Sequence, residues 1–183
     1  MHRIRFIWQR MLDAALMSDL PRTVDDSFDR VVCLREAQVL RVAYRILGNW
    51  TDAEDAAQDV FVRLYRHGLK FPNDAAMGGW LYRVTVNLCL DRLRSSRTSL
   101  NLTDVRCQEL SAEASAIRDE RKRELMTALG TLPAKERAAV VLREIEGLST
   151  AEVAMILGSK EGTVRSQVAK AITHLRAILK QEG

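Results

Sequence analysis

Aromatic residues make up only 5% of this 183-residue chain, and there are three prolines. Stretches of β-alternation of useful length are also lacking, so a sheet protein is not what the sequence describes. Three cysteines, Cys33, Cys89 and Cys107, show no close pairing and no metal-ligand spacing, and His2, His67 and His174 are scattered. A disulfide scaffold or a zinc module is therefore not expected; free thiols in a reducing cytoplasm are. No apolar run approaches the length that spans a bilayer. The first twenty residues carry Arg3, Arg5 and Arg10, but Gln9, Arg10 and Asp13 break the apolar run and no small-residue cleavage site follows, which argues against a secretory leader. A cytoplasmic protein without membrane insertion is expected.

What the chain does contain is a globular composition, 47% hydrophobic and 28% charged, rich in Ala, Leu, Val, Arg and Glu. Its formal net charge of +4 permits an anionic partner without demanding one. The pattern predicts an all-α protein of two small helical domains on a tether. Val39, Leu40, Val42, Ala43, Ile46 and Leu47 recur at helical spacing, and Gly48-Asn49 closes that helix. Thr51 with Glu54 reads as a capping box opening a helix that runs to about Arg66. His67 to Gly79 reads as a loop, and a third helix covers about Trp80 to Arg94. Residues 98–117 lose apolar periodicity and read as a flexible linker. Helices then follow at about Arg118–Leu129, Leu132–Glu146, Thr150–Leu157 and Glu161–Lys180, with Ser149 and Glu152 as a second capping box and Gly158 as a turn.

A short capped helix, a glycine turn and a longer helix make a helix-turn-helix. The start of its second helix is where such proteins meet base edges and phosphates. Here Lys160, Thr163, Arg165, Ser166, Gln167 and Lys170 stand at or beside one outward face. An ordinary helical hairpin with a solvated face would look similar. On the third helix Arg83, Asn87, Asp91 and Arg94 share a face, while Arg92, Arg94 and Arg97 cluster near its end, suiting either the helix dipole or a phosphate backbone. Asp52, Glu54, Asp55 and Asp59 crowd the start of the second helix more densely than its dipole requires, which suggests an acidic face for a basic protein partner.

Taken in order, these segments resemble the extracytoplasmic-function (ECF) sigma factors of the sigma-70 family. The resemblance is carried by D-A-E-D-A-A-Q-D-V-F-V-R-L-Y at residues 52–65 and W-L-Y-R-V-T-V-N-L-C-L-D-R-L-R at 80–94, which are similar to sigma region 2. Residues 132–158, from L-P-A-K-E-R to A-M-I-L-G, with G-T-V-R-S at 162–166, are similar to region 4. The resemblance implies an N-terminal extension over 1–26, region 2 over 27–97, a linker over 98–117 and region 4 over 118–183. It implies that Asp52, Glu54, Asp55, Gln58 and Asp59 dock core RNA polymerase. Lys70, Phe71, Asn73, Trp80, Arg83, Asn87, Arg94 and Arg97 would capture and hold the −10 element of promoter DNA. Lys160, Thr163, Arg165, Ser166, Gln167 and Lys170 would read the −35 element. An anti-sigma factor is an implied partner; no cofactor, metal or small-molecule substrate is, and the polymerase supplies the catalysis.

Two features depart from the family pattern. Gln167 stands where the family usually has arginine, which implies a weaker or altered −35 preference. The segment before about residue 24 is longer than expected, with Met11 and Met17 as alternative starts. Other classes fit less well. A response-type regulator needs an upstream phosphoacceptor or ligand domain, and a pure protein adaptor leaves both basic faces without purpose. No nucleophile–base set, phosphate loop or metal cluster suggests an enzyme.

Overall fold

In a computed structural model, the backbone is described for residues 22–99 and 116–179, and side chains for 27–95 and 123–179. All regular structure among them is helical. Helix α1 spans Arg22–Leu47, and Val39, Val42, Ala43 and Ile46 form its buried stripe at i, i+3, i+4 and i+7. Gly48 ends it with φ +78, a left-handed position that suits glycine, and its N–H donates to the Tyr44 carbonyl at 2.8 Å.

Helix α2, Trp50–His67, starts differently from the capping box that Thr51 and Glu54 suggest. Asn49 is the cap: its side-chain oxygen accepts from the N–H groups of Thr51 (2.9 Å) and Asp52 (3.3 Å). Glu54 instead accepts from the indole N–H of Trp50 at 2.8 Å. An asparagine placed one residue before the helix outcompetes a threonine already inside it. The buried face of α2 consists of Ala53, Ala56, Ala57, Val60, Phe61 and Leu64.

Helix α3 runs Asp74–Ser99, so the expected loop shrinks to residues 68–73. Asn73 explains the early start, since its side chain accepts the Ala76 N–H at 2.8 Å. Gly78 and Gly79 lie inside the helix, where nothing stands within 4 Å of an added Cβ. Their helix-breaking tendency, about 1 kcal/mol each, is overridden by the cap and by the packing of Leu81, Thr85, Val86, Leu88 and Cys89.

The expected linker falls mostly on residues 100–115, outside the described residues, and its ends at Thr98–Ser99 and Ala116–Ile117 are helical. Helix α4 (Ala116–Thr131) leads through Leu132-Pro133 to α5 (Ala134–Val140), which widens into a π-helical turn over Val141–Ile145. The Glu146 N–H closes that turn on the Val141 carbonyl at 3.0 Å, and Gly147, at φ +74, releases the chain. Helix α6, Thr150–Leu157, has the expected capping box: Ser149 accepts from the Glu152 N–H, and the Glu152 carboxylate takes the Ser149 N–H at 2.7 Å. The Ser149 hydroxyl, which donates to the Glu152 carboxylate at 2.6 Å, and the Ser149 N–H hold that carboxyl below its ordinary pKa. Helix α7 is Glu161–Leu179, with Val164, Val168 and Ala171 buried.

The structure divides into two units, up to Ala37 and from Gln38 onward. The described part of the first is the beginning of α1, with Phe28 buried and Cys33 and Leu34 exposed. The second holds everything else. Its core joins Val42, Ala43, Ile46, Ala53, Ala56, Val86 and Cys89 to Leu129, Leu132, residues 138–142, Val153, Ile156, Val164 and Val168 in one continuous apolar cluster. The helices before and after residues 100–115 thus bury surface against each other, with α3 resting on α5 and α6.

Candidate nucleic-acid interface

The helix-turn-helix consists of α6, the left-handed Gly158 (φ +58) and α7. Burial of Val153, Ala154 and Ile156 against Val164, Val168 and Ala171 fixes which way α7 faces. Lys160, just before α7, and Thr163, Arg165, Ser166 and Lys170 on its first turns are consequently exposed together. Among the described residues Arg165 pairs with Glu161 of its own helix at 3.6 Å, a loose pair at the surface that a phosphate can displace. Gln167 differs from the rest. It is half-buried, and its side-chain oxygen is shielded from solvent with no hydrogen-bond partner among the described residues.

On α3, burial of Leu81, Thr85, Val86, Leu88 and Cys89 turns Arg83, Asn87 and Arg94 outward. Thr85 is satisfied by its own helix, donating to the Leu81 carbonyl at 2.7 Å. Arg94 donates to Asp91 at 3.3 Å. Arg83 donates to the main-chain carbonyl of Met155 on α6 at 3.2 Å. The Arg97 side chain lies outside the described residues.

In the preceding loop Lys70 is exposed, Asn73 is occupied as the α3 cap and Phe71 is half-buried, as is Trp80 in the first turns of α3. Phe71 and Trp80 belong to a three-ring cluster with a member that sequence reasoning left out. His67 stacks on Phe71 with centroids 4.7 Å apart and planes 14° apart, and lies 5.2 Å from Trp80; Phe71 and Trp80 are 5.7 Å apart. The Phe71–Trp80 spacing is within the range of favourable aromatic pairs. The only sequence signal for His67 is its position at the end of α2, one residue before the glycine that ends the helix.

The acidic patch on α2 has Asp52, Asp55 and Asp59 exposed and Glu54 and Gln58 half-buried. It is partly neutralised from within. Arg92 of α3 donates to Asp59 at 2.7 Å and to the Asp52 carbonyl at 3.2 Å, and lies 4.0 Å from Asp55. Grouping Arg92 with Arg94 and Arg97 in one basic cluster therefore fails. Two residues of helix rotate the side chain by about 200°, which sends Arg92 to α2 while Arg94 faces outward. Among the described residues no group of three or more His, Cys, Asp or Glu side chains could hold a metal ion.

The family models for sigma-70 region 2 and sigma-70 region 4 match residues 35–98 and 122–175, the segments that carry these two faces. The ECF sigma factor SigM of Mycobacterium tuberculosis is 36% identical over 157 residues, covering 84% of this chain and 77% of that protein. This chain is an ECF RNA polymerase sigma factor. SigE of Mycolicibacterium smegmatis is 37% identical over 159 residues, 84% of this chain, and the chain spans 62% of that relative's length. Among solved structures, the sigma factor RpoE in complex with the anti-sigma factor NepR from Bartonella quintana shares the fold, with a TM-score of 0.68 and 21% identity over 84% of this chain and 97% of that one. CnrH in complex with the cytosolic domain of CnrY superposes with a TM-score of 0.64 at 25% identity over 87% of this chain and 91% of that one. As a sigma factor the chain directs transcription initiation, and both expected regions of this family are present.

Proposed function

We propose that this sigma factor binds core RNA polymerase through the α2 acidic face of Asp52, Glu54, Asp55, Gln58 and Asp59. It then places two DNA-binding faces on a promoter in a stress or envelope response. Lys70, Phe71, Asn73, Trp80, Arg83, Asn87, Arg94 and Arg97 serve the −10 element. Stacking aromatics beside cationic side chains are what a single strand with unstacked bases requires. Lys160, Thr163, Arg165, Ser166, Gln167 and Lys170 serve the −35 element in the major groove.

The observation that carries this reading is the outward display of Thr163, Arg165, Ser166 and Lys170 on the second helix of a helix-turn-helix. Among the described residues their partners are a loose surface pair at most, which leaves them able to turn to phosphate and base edges. Asn73 contributes through loop geometry, since its side chain caps α3. Gln167, with its shielded oxygen, contributes to the fit of α7 more than to direct readout. The factor supplies recognition, and the polymerase supplies the chemistry. An anti-sigma factor as regulator, and a cytoplasmic location, complete the proposal.

Run-off transcription with the purified chain, core polymerase and fragmented genomic DNA tests it. Discrete transcripts that depend on the chain are expected, and mapping their starts yields the promoter. Absence of transcripts together with absence of polymerase binding refutes it.

A further inference from the structure

The loop before α3 is short, and its two ends are pinned by different means. Gly68 ends α2 at φ +67, where its N–H donates to the Tyr65 carbonyl at 3.0 Å, and Asn73 opens α3 as its cap. Between them the main chain closes on itself. The Lys70 N–H donates to the Gly68 carbonyl at 2.7 Å, and the Phe71 N–H to the Leu69 carbonyl at 3.0 Å. His67 is tied to the same Gly68 carbonyl through Nδ1 at 3.0 Å. A carbonyl only accepts, so this nitrogen carries a proton and the bond holds the ring in one orientation.

The ring so tethered lies almost parallel to Phe71, with planes 14° apart and centroids 4.7 Å apart, while Trp80 tilts against both. A loop phenylalanine ordinarily samples several rotamers, and that freedom must be removed before a base can stack on it. Here His67 removes it beforehand. His67 is exposed and Phe71 only half-buried, so the stack is not sealed from solvent, and the next residue in the loop is the exposed cation Lys70. A sealed trio of rings would be a small core. An open one beside a cation is a stacking platform.

We propose that His67 is a positioning residue of the −10 face: its tethered ring holds Phe71 in place for one unpaired base of the promoter strand. The inference rests on the assignment of the −10 element to this loop. His67 acts through Phe71, and what it contributes is the conformational freedom that the arriving strand no longer has to remove.

Holoenzyme assembled from the full chain and core polymerase tests it, with a fluorescein-labelled single strand spanning the −10 element of a promoter mapped by run-off transcription. Each base is replaced in turn by an abasic site, and the ratio of abasic to intact Kd is read for every variant. A merely structural role lowers the amount of active protein, which cancels in that ratio, as the phosphate contacts do. At one position the wild type is expected to give a ratio of about five or more, the lower end for a base stacked on an aromatic ring. Phe71→Ala should bring that ratio to near unity. So should His67→Ala and His67→Asn, the second of which keeps an N–H for the Gly68 carbonyl but has no ring. His67→Phe keeps a ring without that N–H and should restore much of the ratio. Wild-type ratios in His67→Ala and His67→Asn, with loss only in Phe71→Ala, overturn the inference and leave the −10 assignment standing. Retention in His67→Asn with loss in His67→Phe also overturns it, since the bond to Gly68 and not the stacked ring would then be at work. If no abasic position raises the wild-type Kd, or Phe71→Ala changes none of the ratios, the −10 assignment of this loop fails and the inference falls with it.

Discussion

Arg137 is the side chain whose loss should hurt stability most. It is 7% exposed, and its guanidinium donates to three main-chain carbonyls: Ile46 at 2.8 Å, Leu132 at 3.3 Å, and Gly130. Two of these acceptors close the turn between α4 and α5, and the third is in the last turn of α1. Replacement by alanine strands all three, the Ile46 and Leu132 carbonyls in buried surroundings and the Gly130 carbonyl in a part-buried one. A hydrogen bond from a charged group contributes about 1.5–3 kcal/mol. Because the three share one side chain they do not add fully, and a loss of about 4 kcal/mol is expected for Arg137→Ala. At 2–4 °C per kcal/mol for a protein of this size, the melting temperature should fall by about 8–16 °C. Arg137→Lys keeps the charge without the planar fork and should recover about half of the loss. Thermal melts followed by circular dichroism at 222 nm, a wavelength that reports helix, measure both. A drop of less than about 3 °C for Arg137→Ala, within the effect of an ordinary surface substitution, would mean that water replaces the guanidinium and that the site is not dry.

Other expected outcomes follow from the exposed faces and the thiols. Asp59→Asn removes a carboxylate whose only described partner is Arg92, and should weaken core polymerase binding with a shallower salt dependence. Arg92→Ala should change stability by less than about 1 kcal/mol, as for other surface pairs, and leave polymerase binding as strong or stronger; affinity titrations across salt concentrations compare the two. Arg165→Ala should lower promoter affinity across sequences and reduce the salt slope by about one if it meets phosphate, read by fluorescence anisotropy; a loss confined to one base position would show direct readout instead. Burial pushes the Cys89 thiol up to about 12, whereas Cys33 is exposed, so a maleimide at pH 8 should label Cys33 and spare Cys89 until the chain unfolds, as peptide mass spectrometry can show. The sign of the linkage is definite: the unfolded thiol loses its proton near 9.0 while the folded one keeps it, so Cys89 makes stability fall as pH rises from about 9 toward 12.

Much of the architecture was legible one helix at a time. Apolar residues at 39, 42, 43 and 46, and again at 56, 57, 60, 61 and 64, sit on the stripes that the structure buries, and Ala53 joins the second. Ser149 with Glu152 and the glycine at 158 mark the helix-turn-helix to the residue, because caps and left-handed glycines are local chemistry. The exposed residues of α7 follow from the same periodicity. Where local signals competed, reading them in isolation went astray. Asn49 took the cap from Thr51, and Asn73 drew Gly78-Gly79 into α3, since the outcome depends on which of several adequate residues the packed chain favours.

The amino-acid sequence by itself determined the helices, the fold class, the two-region order and the outward faces, all of which arise from residues within about four positions of one another. Only the tertiary structure decided what those faces touch. That Arg92 turns to Asp59, that His67 joins Phe71 and Trp80, and that Arg45 and Tyr82 meet at Glu146 could not be read along the chain. Periodicity says which way a side chain points from its own helix, but a hydrogen bond between residues 64 or 101 positions apart depends on how whole helices are stacked. That stacking is set by the summed burial of the shared core, a property of no single segment.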